Sequence, residues 1–188
     1  MRLVLSAKRA GFELPLKGPR ITRRLHTCEM QAWLARRVMT QLGSGNRRTR
    51  EVAVLRCASL PIQCVAQHAE VLLEHSGSFD AMVRLRALRT LSHLTMKQKE
   101  RMLKEHPEAV TKVLPRLEDE DALVRRAAVN VLGGWLVIGV WPTDSTQDLM
   151  EEISEAVHRR SLCDENECVR AASERLLLTH REQVPMCT

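Results

Sequence analysis

Residues 117–135 read LEDEDALVRRAAVNVLGGW, an acidic turn that leads directly into Val-Arg and a helix of small apolar residues. The same order occurs in DAMVRLRALRTL at 80–91 and in NECVRAASERLL at 166–177. Each copy has a polar residue, two spacers, Val-Arg, small residues and then Leu. Self-similarity of this kind indicates a repeat architecture.

Each copy follows a further helical segment and a short polar connector, so the predicted unit is a pair of helices. The predicted units are 28–60, 62–94, 107–138 and 146–178. The first is a weaker copy, in which the motif arginine is either Arg50 or is replaced by Leu55. Residues 95–106 are predicted to be a charged insertion with a short extra helix.

The motif V-R-x-x-A-x-x-x-L places apolar residues such as Val124, Ala128 and Leu132 on one face of a helix. The small residue in the middle lets a neighbouring helix approach closely. Stacked pairs then bury a continuous core that one unit could not bury alone. Since no segment shows sustained strand-like alternation, the fold class is predicted to be all-α.

The motif arginines are Arg84, Arg125 and Arg170, and an aspartate precedes two of them by six residues. These aspartates, Asp119 and Asp164, are expected to cap the following helix and to interact with its dipole. Each arginine is expected to reach the acid of its own or the adjacent unit. Partly exposed pairs contribute only about 0–1 kcal/mol, so this ladder should fix stacking register more than stability.

The pattern resembles the HEAT repeats, which are antiparallel helix pairs with Pro in the first helix, Asp in the turn and Val-Arg at the start of the second. Pro115, Asp119, Val124 and Arg125 match most fully, the copy at 166–177 matches in part, and Ser78 stands at the place of the turn acid before Arg84. The resemblance covers about residues 28–178. It implies a right-handed α-solenoid of about four helix pairs that binds proteins, with the second helices lining its concave side.

A non-catalytic protein–protein interaction scaffold without cofactors is therefore the predicted function. The partner, an acidic helix, peptide or protein surface, would dock along the groove of the second helices. The candidate residues for this contact are Arg86, Arg89, Arg126, Asn130 and Arg175. Their alternative role is that of charges on a solvated helix face.

Charge is distributed unevenly along the chain. The net charge is +6, but residues 1–50 carry twelve Lys and Arg against two acids. Residues 1–25 are predicted to be a basic disordered arm before an array at 26–180 and a tail at 181–188. The alternative function is binding of nucleic acid or another anionic surface through the first fifty residues. Such binding would be sequence-indifferent, because aromatic residues that could stack on bases are scarce, at 3%.

Catalytic and metal-binding motifs are not recognised in the sequence. The six cysteines lack a C-x-x-C pair and are interpreted as reduced thiols, mostly in the core. Glu74-His75 and Glu105-His106 reverse the His-Glu dyads with which some HEAT-like enzymes hold iron, and exposed helix-terminal histidines are expected there instead. The apolar run at 127–143 is too short for a membrane span.

The sequence also gives expectations about the cellular location of the protein and about whether the chain is part of a longer one. The opening MRLVLSAKRAG has too short an apolar run for a signal peptide, and its Pro and Gly content disfavours a mitochondrial presequence. A cytoplasmic location is favoured, with a nuclear one left open. The segment LLLTHREQVPMCT shows no polar cap, which motivates the hypothesis that the chain is part of a longer repeat protein or a short isoform.

Overall fold

The structure is a computed structural model that describes residues 32–57, 68–137 and 146–183. The predicted basic arm at 1–25 and residues 184–188 of the predicted tail lie outside the described residues. The chain divides into two units, Met1–Leu34 and Ala35–Thr188. Only residues 32–34 of the first unit are described, and all three are helical.

Every regular element of the described residues is a helix. The helices are α1 (32–42), α2 (Arg47–Cys57), α3 (Ala69–His75), α4 (Ala81–Ser92), α5 (Met96–Glu105), α6 (Ala109–Val113), a 3₁₀ helix (Leu114–Glu118), α7 (Ala122–Leu136), α8 (Thr146–Cys163) and α9 (Glu167–Gln183). The all-α prediction is confirmed for this part of the chain. The last helix continues to Gln183, so the predicted tail begins inside α9.

The helices pack in two series. The second helices contact one another in chain order, α2 with α4, α4 with α7, and α7 with α9. The first helices are α3, the run of α6 and the 3₁₀ helix, and α8. They also contact one another in chain order, since α3 contacts α6 and the 3₁₀ helix contacts α8. Within pairs, α3 packs on α4 and α8 on α9. The helices of the middle pairs therefore bury their apolar stripes against their pair partners and against the neighbouring pairs.

Four connectors, at 44–46, 78–80, 119–121 and 164–166, share one hydrogen-bond pattern. The side-chain oxygen of the first residue accepts the backbone N–H of the third, in Ser44, Ser78, Asp119 and Asp164. The third residue then caps the next helix, as Asp80, Asp121 and Asn166 do by accepting backbone N–H groups of its first turn. Asp119 and Asp164 were expected to be these caps; they instead close the connector, and the residue two positions later is the cap.

An arginine follows the first connector residue by six positions in all four cases. Its Nη1 donates to the carbonyl oxygens of the first two connector residues, at 2.9 and 3.2 Å for Arg50, 3.0 and 2.9 Å for Arg84, 2.8 and 3.2 Å for Arg125, and 2.7 and 3.1 Å for Arg170. The motif arginine of the first copy is therefore Arg50, while Leu55 is exposed. The four arginines are 34, 41 and 45 residues apart although their surroundings are alike.

The motif valines occupy equivalent core positions. Val83, Val124 and Val169 are all at most 1% exposed. Four residues later, Ala87, Ala128 and Ser173 are fully buried. A small side chain is therefore required at this position, where the helices of a pair approach closely.

Replacement of Ser173 by alanine is expected to raise the free energy of unfolding by about 1 kcal/mol. The buried Ser173 hydroxyl has no hydrogen-bond partner, and alanine already occupies the equivalent positions in α4 and α7. Urea denaturation would measure the change. Ser161→Ala is the control, because the Ser161 hydroxyl donates to the His158 carbonyl at 2.7 Å and its loss brings no gain. A destabilised S173A protein would contradict the expectation.

The insertion at 95–106 forms α5 and packs against α7. Its start carries a capping box between Thr95 and Gln98. One face of this charged helix is buried through Lys99, Met102 and Leu103. The insertion thus contributes to the core rather than lying only in solvent.

Candidate protein-binding groove

A groove of about 360 Å³ runs between α7 and α9 and reaches Met96 at the start of α5. Three of the five residues predicted for partner contact, Arg126, Asn130 and Arg175, line it. The other two, Arg86 and Arg89, lie on α4 and do not line it. The groove therefore gathers most of the predicted set at one place.

Alignment on the connector arginines relates four of these residues to one another. Arg89, Asn130 and Arg175 each follow the motif arginine by five residues, and all three are exposed. Arg126 instead aligns with Leu85, which is 2% exposed in α4. Because α4 buries that position under its neighbours, only α7 offers a cation there.

The groove is apolar with a cation from each of its two helices. Ala172 and Leu176 contribute apolar surface, and the lining contains no Asp or Glu. In the part of the chain that the structure describes, neither Arg126 nor Arg175 forms an ion pair. An unpaired cation beside apolar surface favours an anionic group with apolar neighbours.

Gly133 and Gly134 leave room for side chains of neighbouring helices at the floor of the groove. A Cβ at Gly133 would collide with the Leu176 side chain of α9. A Cβ at Gly134 would lie 2.5 Å from Nζ of Lys99 on α5. Side-chain-free positions therefore let both α5 and α9 reach α7.

Lys99 brings a third cation close to the groove. Its side chain is largely buried beside Gly134, and burial lowers the pKa of its amine below the ordinary value. No ion pair involving Lys99 occurs among residues 32–57, 68–137 and 146–183. Lys99 was not among the residues predicted for this site; the paired glycines inside an apolar helix were the signal for a close approach there.

The ladder arginines meet acids of the following connector. Nε of Arg84 lies 2.8 Å from Oδ2 of Asp119, and its Nη2 donates to Oδ1 at 2.8 Å and to Oε1 of Glu120 at 3.3 Å. Arg125 makes the same contacts with Asp164 and Glu165, at 2.8, 2.9 and 3.3 Å. Bidentate geometry of this type fixes both distance and orientation.

These pairs are buried, whereas partly exposed pairs were expected. The side chains of Arg125 and Asp164 are 6% and 0% exposed. Burial alone would raise the pKa of Asp164, but hydrogen bonds from Arg125 and from the Asn166 N–H, with the charges of Arg125 and Arg160, hold it below its ordinary value. Removal of one partner would leave a buried charge without compensation.

The first connector arginine has a different acid. Ser78 stands where Asp119 and Asp164 stand in later units, so Nη2 of Arg50 pairs with Oε1 of Glu74 at 2.7 Å. Glu74 is half exposed. The ladder therefore begins with a weaker, solvated pair and continues with two buried ones.

The histidine and cysteine expectations are met only in part. His75 is 2% exposed, with Nδ1 at 3.0 Å from the Val71 carbonyl oxygen, so it is not the exposed residue that was expected. Cys57 is buried, which raises the pKa of its thiol to about 12, but Cys163 and Cys168 are exposed rather than in the core. Among the described residues there is no cluster of three or more potential metal ligands, and no helix there has the length and apolarity to cross a bilayer.

Comparison with known proteins leaves the family open. No family model matches the chain, and no curated protein matches it. Among solved structures, the crystal structure of an engineered protein aligns with 79% of this chain and 79% of its own, at 15% identity and a TM-score of 0.45.

Proposed function

We propose that the chain is a non-catalytic, cytoplasmic protein–protein interaction scaffold, built as a right-handed α-solenoid of about four HEAT-like helix pairs. The observation that carries the proposal is the groove between α7 and α9, which is lined by Arg126 and Arg175 and by no acid. The two series of helix contacts and the repeated connector geometry support the solenoid.

The proposed partner is an amphipathic segment with carboxylates on one face and apolar side chains on the other. Its apolar side chains would pack on Val137, Ala172 and Leu176, while its carboxylates would meet Arg126 and Arg175. A volume of about 360 Å³ is at the lower end for ligand sites and accommodates a few side chains rather than a whole helix. The groove would thus hold the anchor of a larger interface.

Fluorescence anisotropy with a labelled helical peptide, bearing leucines on one face and glutamates on the other, would test the proposal. The double variant R126E/R175E is expected to weaken binding by about tenfold or more, because two favourable contacts become repulsive. The matched control is R101E/K104E, which makes the same charge change on the exposed face of α5. A photo-cross-linking residue at Ala171, which lines the groove, would locate the bound peptide.

Equal binding by R126E/R175E and the control variant would contradict the groove. So would equal affinity for a peptide whose glutamates are replaced by lysines. Binding that persists after deletion of residues 1–25 favours the scaffold. Binding that is lost on this deletion and falls steeply with salt favours the alternative, contact with nucleic acid or another anionic surface through the basic N-terminal fifty residues.

The structure gives an argument against that alternative. Two of the cations counted for it are used inside the fold: Arg47 pairs with Glu51 and lies over the Phe79 ring at 5.5 Å, and Arg50 holds its connector and Glu74. Each cation engaged in this way is less available to a phosphate backbone. The alternative therefore depends more heavily on residues 1–25, which lie outside the described residues.

A further inference from the structure

In the earlier units, one face of each helix pair packs against the next pair. The corresponding face of the pair α8–α9 differs from it. Eight residues before the connector arginine, the first three units have fully buried residues, Leu42, Ser76 and Leu117, at 0–1% exposure. The equivalent residue of the fourth, Leu162, is 66% exposed. Twelve residues before the arginine, three buried apolar residues likewise give way to the exposed His158.

The second helix shows the same change. Four residues after the connector arginine, Val54, Leu88 and Val129 are buried, whereas Glu174 at the equivalent position of α9 is exposed. Eight residues after the arginine, Gly133 packs against the following helix, whereas Leu178 is 54% exposed. The face is therefore apolar at two positions and acidic at a position that elsewhere lies in the core.

Arg170 belongs to this face as well. Its Nη1 holds the connector carbonyls as in the other units. Where Arg84 and Arg125 use Nε and Nη2 to bind an Asp and a Glu, Arg170 has no carboxylate within ion-pair distance in the described segments. One side of its guanidinium is consequently available to an acid from outside.

We propose that this face, formed by Leu162, Arg170, Glu174 and Leu178, binds the same face of a second copy of the chain. Two α9 helices would pack antiparallel about a twofold axis near residue 172. That register places Arg170 of each copy opposite Glu174 of the other. It also places Leu178 opposite the start of the partner helix at Asn166, beside the connector that Leu162 precedes by two residues.

The charge pattern selects this occupant. A partner that offered only an acidic connector, as the fourth unit does to Arg125, would bring its carboxylates against Glu174. A surface that carries both a cation and an anion one helical turn apart complements itself when it is reversed, which is the requirement for an isologous interface. Like charges would meet in the parallel register that places each residue opposite its own copy, so the antiparallel one is preferred.

The test is sedimentation equilibrium of the full chain under reducing conditions, since Cys163 and Cys168 are exposed near this face. A reversible monomer–dimer equilibrium in the micromolar range is the expected result. E174R, a surface change that leaves the Arg170 contacts in place, should weaken the dimer by about tenfold or more. L162S should weaken it as well, because Leu162 would lose its apolar contact.

R101E is the matched control and should dimerise as the original chain does, because Arg101 lies on the exposed face of α5. Circular dichroism would establish that each variant is folded. A chain that stays monomeric up to near-millimolar concentration would overturn the proposal, as would dimers that E174R and L162S leave unchanged. The proposal does not depend on what the groove binds.

Discussion

Replacement of Asp164 by alanine is expected to lower the free energy of unfolding by about 3–5 kcal/mol, the range for breaking a buried ion pair from one side. Asp164 accepts two hydrogen bonds from Arg125 and one from the Asn166 N–H, and it lies 3.6 Å from Arg160. Its loss would leave the Arg125 guanidinium buried with only the exposed Glu165 as a charged partner. The connector would lose its internal hydrogen bond at the same time.

Urea denaturation at neutral pH would measure this loss. Glu165→Ala is the matched control: Glu165 contacts the same arginine at 3.3 Å but is 84% exposed, so its removal should change stability by no more than about 1 kcal/mol. Because the folded-state pKa of Asp164 is lowered, its contribution is present at neutral pH and declines as pH falls through that pKa. The difference between D164A and the original chain should therefore shrink in acid. Equal effects of D164A and E165A would contradict the importance of burial.

Replacement of Trp135 by alanine is expected to cost about 3–5 kcal/mol, as for large aromatic side chains removed from a core. Trp135 is 0% exposed and is the largest fully buried side chain among the described residues. Its indole N–H has no hydrogen-bond partner, so the loss would come from packing and from the cavity left in α7. This helix contacts both α4 and α9, and its weakening should reduce the cooperativity of unfolding across the pairs.

Thermal and urea unfolding, followed by helical circular dichroism, would measure the Trp135 effect. W135F is the comparison, because a phenyl ring refills most of the space and gives up no hydrogen bond that Trp135 makes. Its loss should be clearly smaller than that of W135A. If W135A unfolds with the same midpoint as the original chain, the side chain does not stabilise the core in the way that its burial indicates.

The all-α fold could be predicted because its signal is local. The Val-Arg motif, the polar connectors and the spacing of apolar residues are all contained within about fifteen residues, and they specify a helix pair whatever lies around it. Arg50 could not be distinguished from Leu55 as the motif arginine position on sequence alone, because the connector length that decides between them is a three-dimensional property. The structure decides in favour of Arg50 because only a side chain six residues after Ser44 reaches the two connector carbonyls.

The candidate site was predictable only in part, because it depends on contacts between units. Asn130 and Arg175 were found from helical periodicity, which gives the exposed face of a single helix. Lys99 was missed because its relation to Gly134 arises only when the insertion packs on α7. The burial of the Arg125–Asp164 pair was missed for the same reason: residues 39 positions apart become neighbours only after stacking.

The connectors at 78–80, 119–121 and 164–166 are uniform in length, although the distance from one connector arginine to the next grows from 34 to 41 and 45 residues. All of the extra length is therefore accommodated elsewhere in each unit, and α5 is one such addition. A new segment or a reporter domain placed in the bends between units would leave the six-residue spacing from each connector's first residue to its arginine intact. A single residue added to a connector would instead move its arginine away from both carbonyls. The connectors within the helix pairs are therefore constrained in length during evolution, whereas the segments that lead from one unit to the next can vary in length.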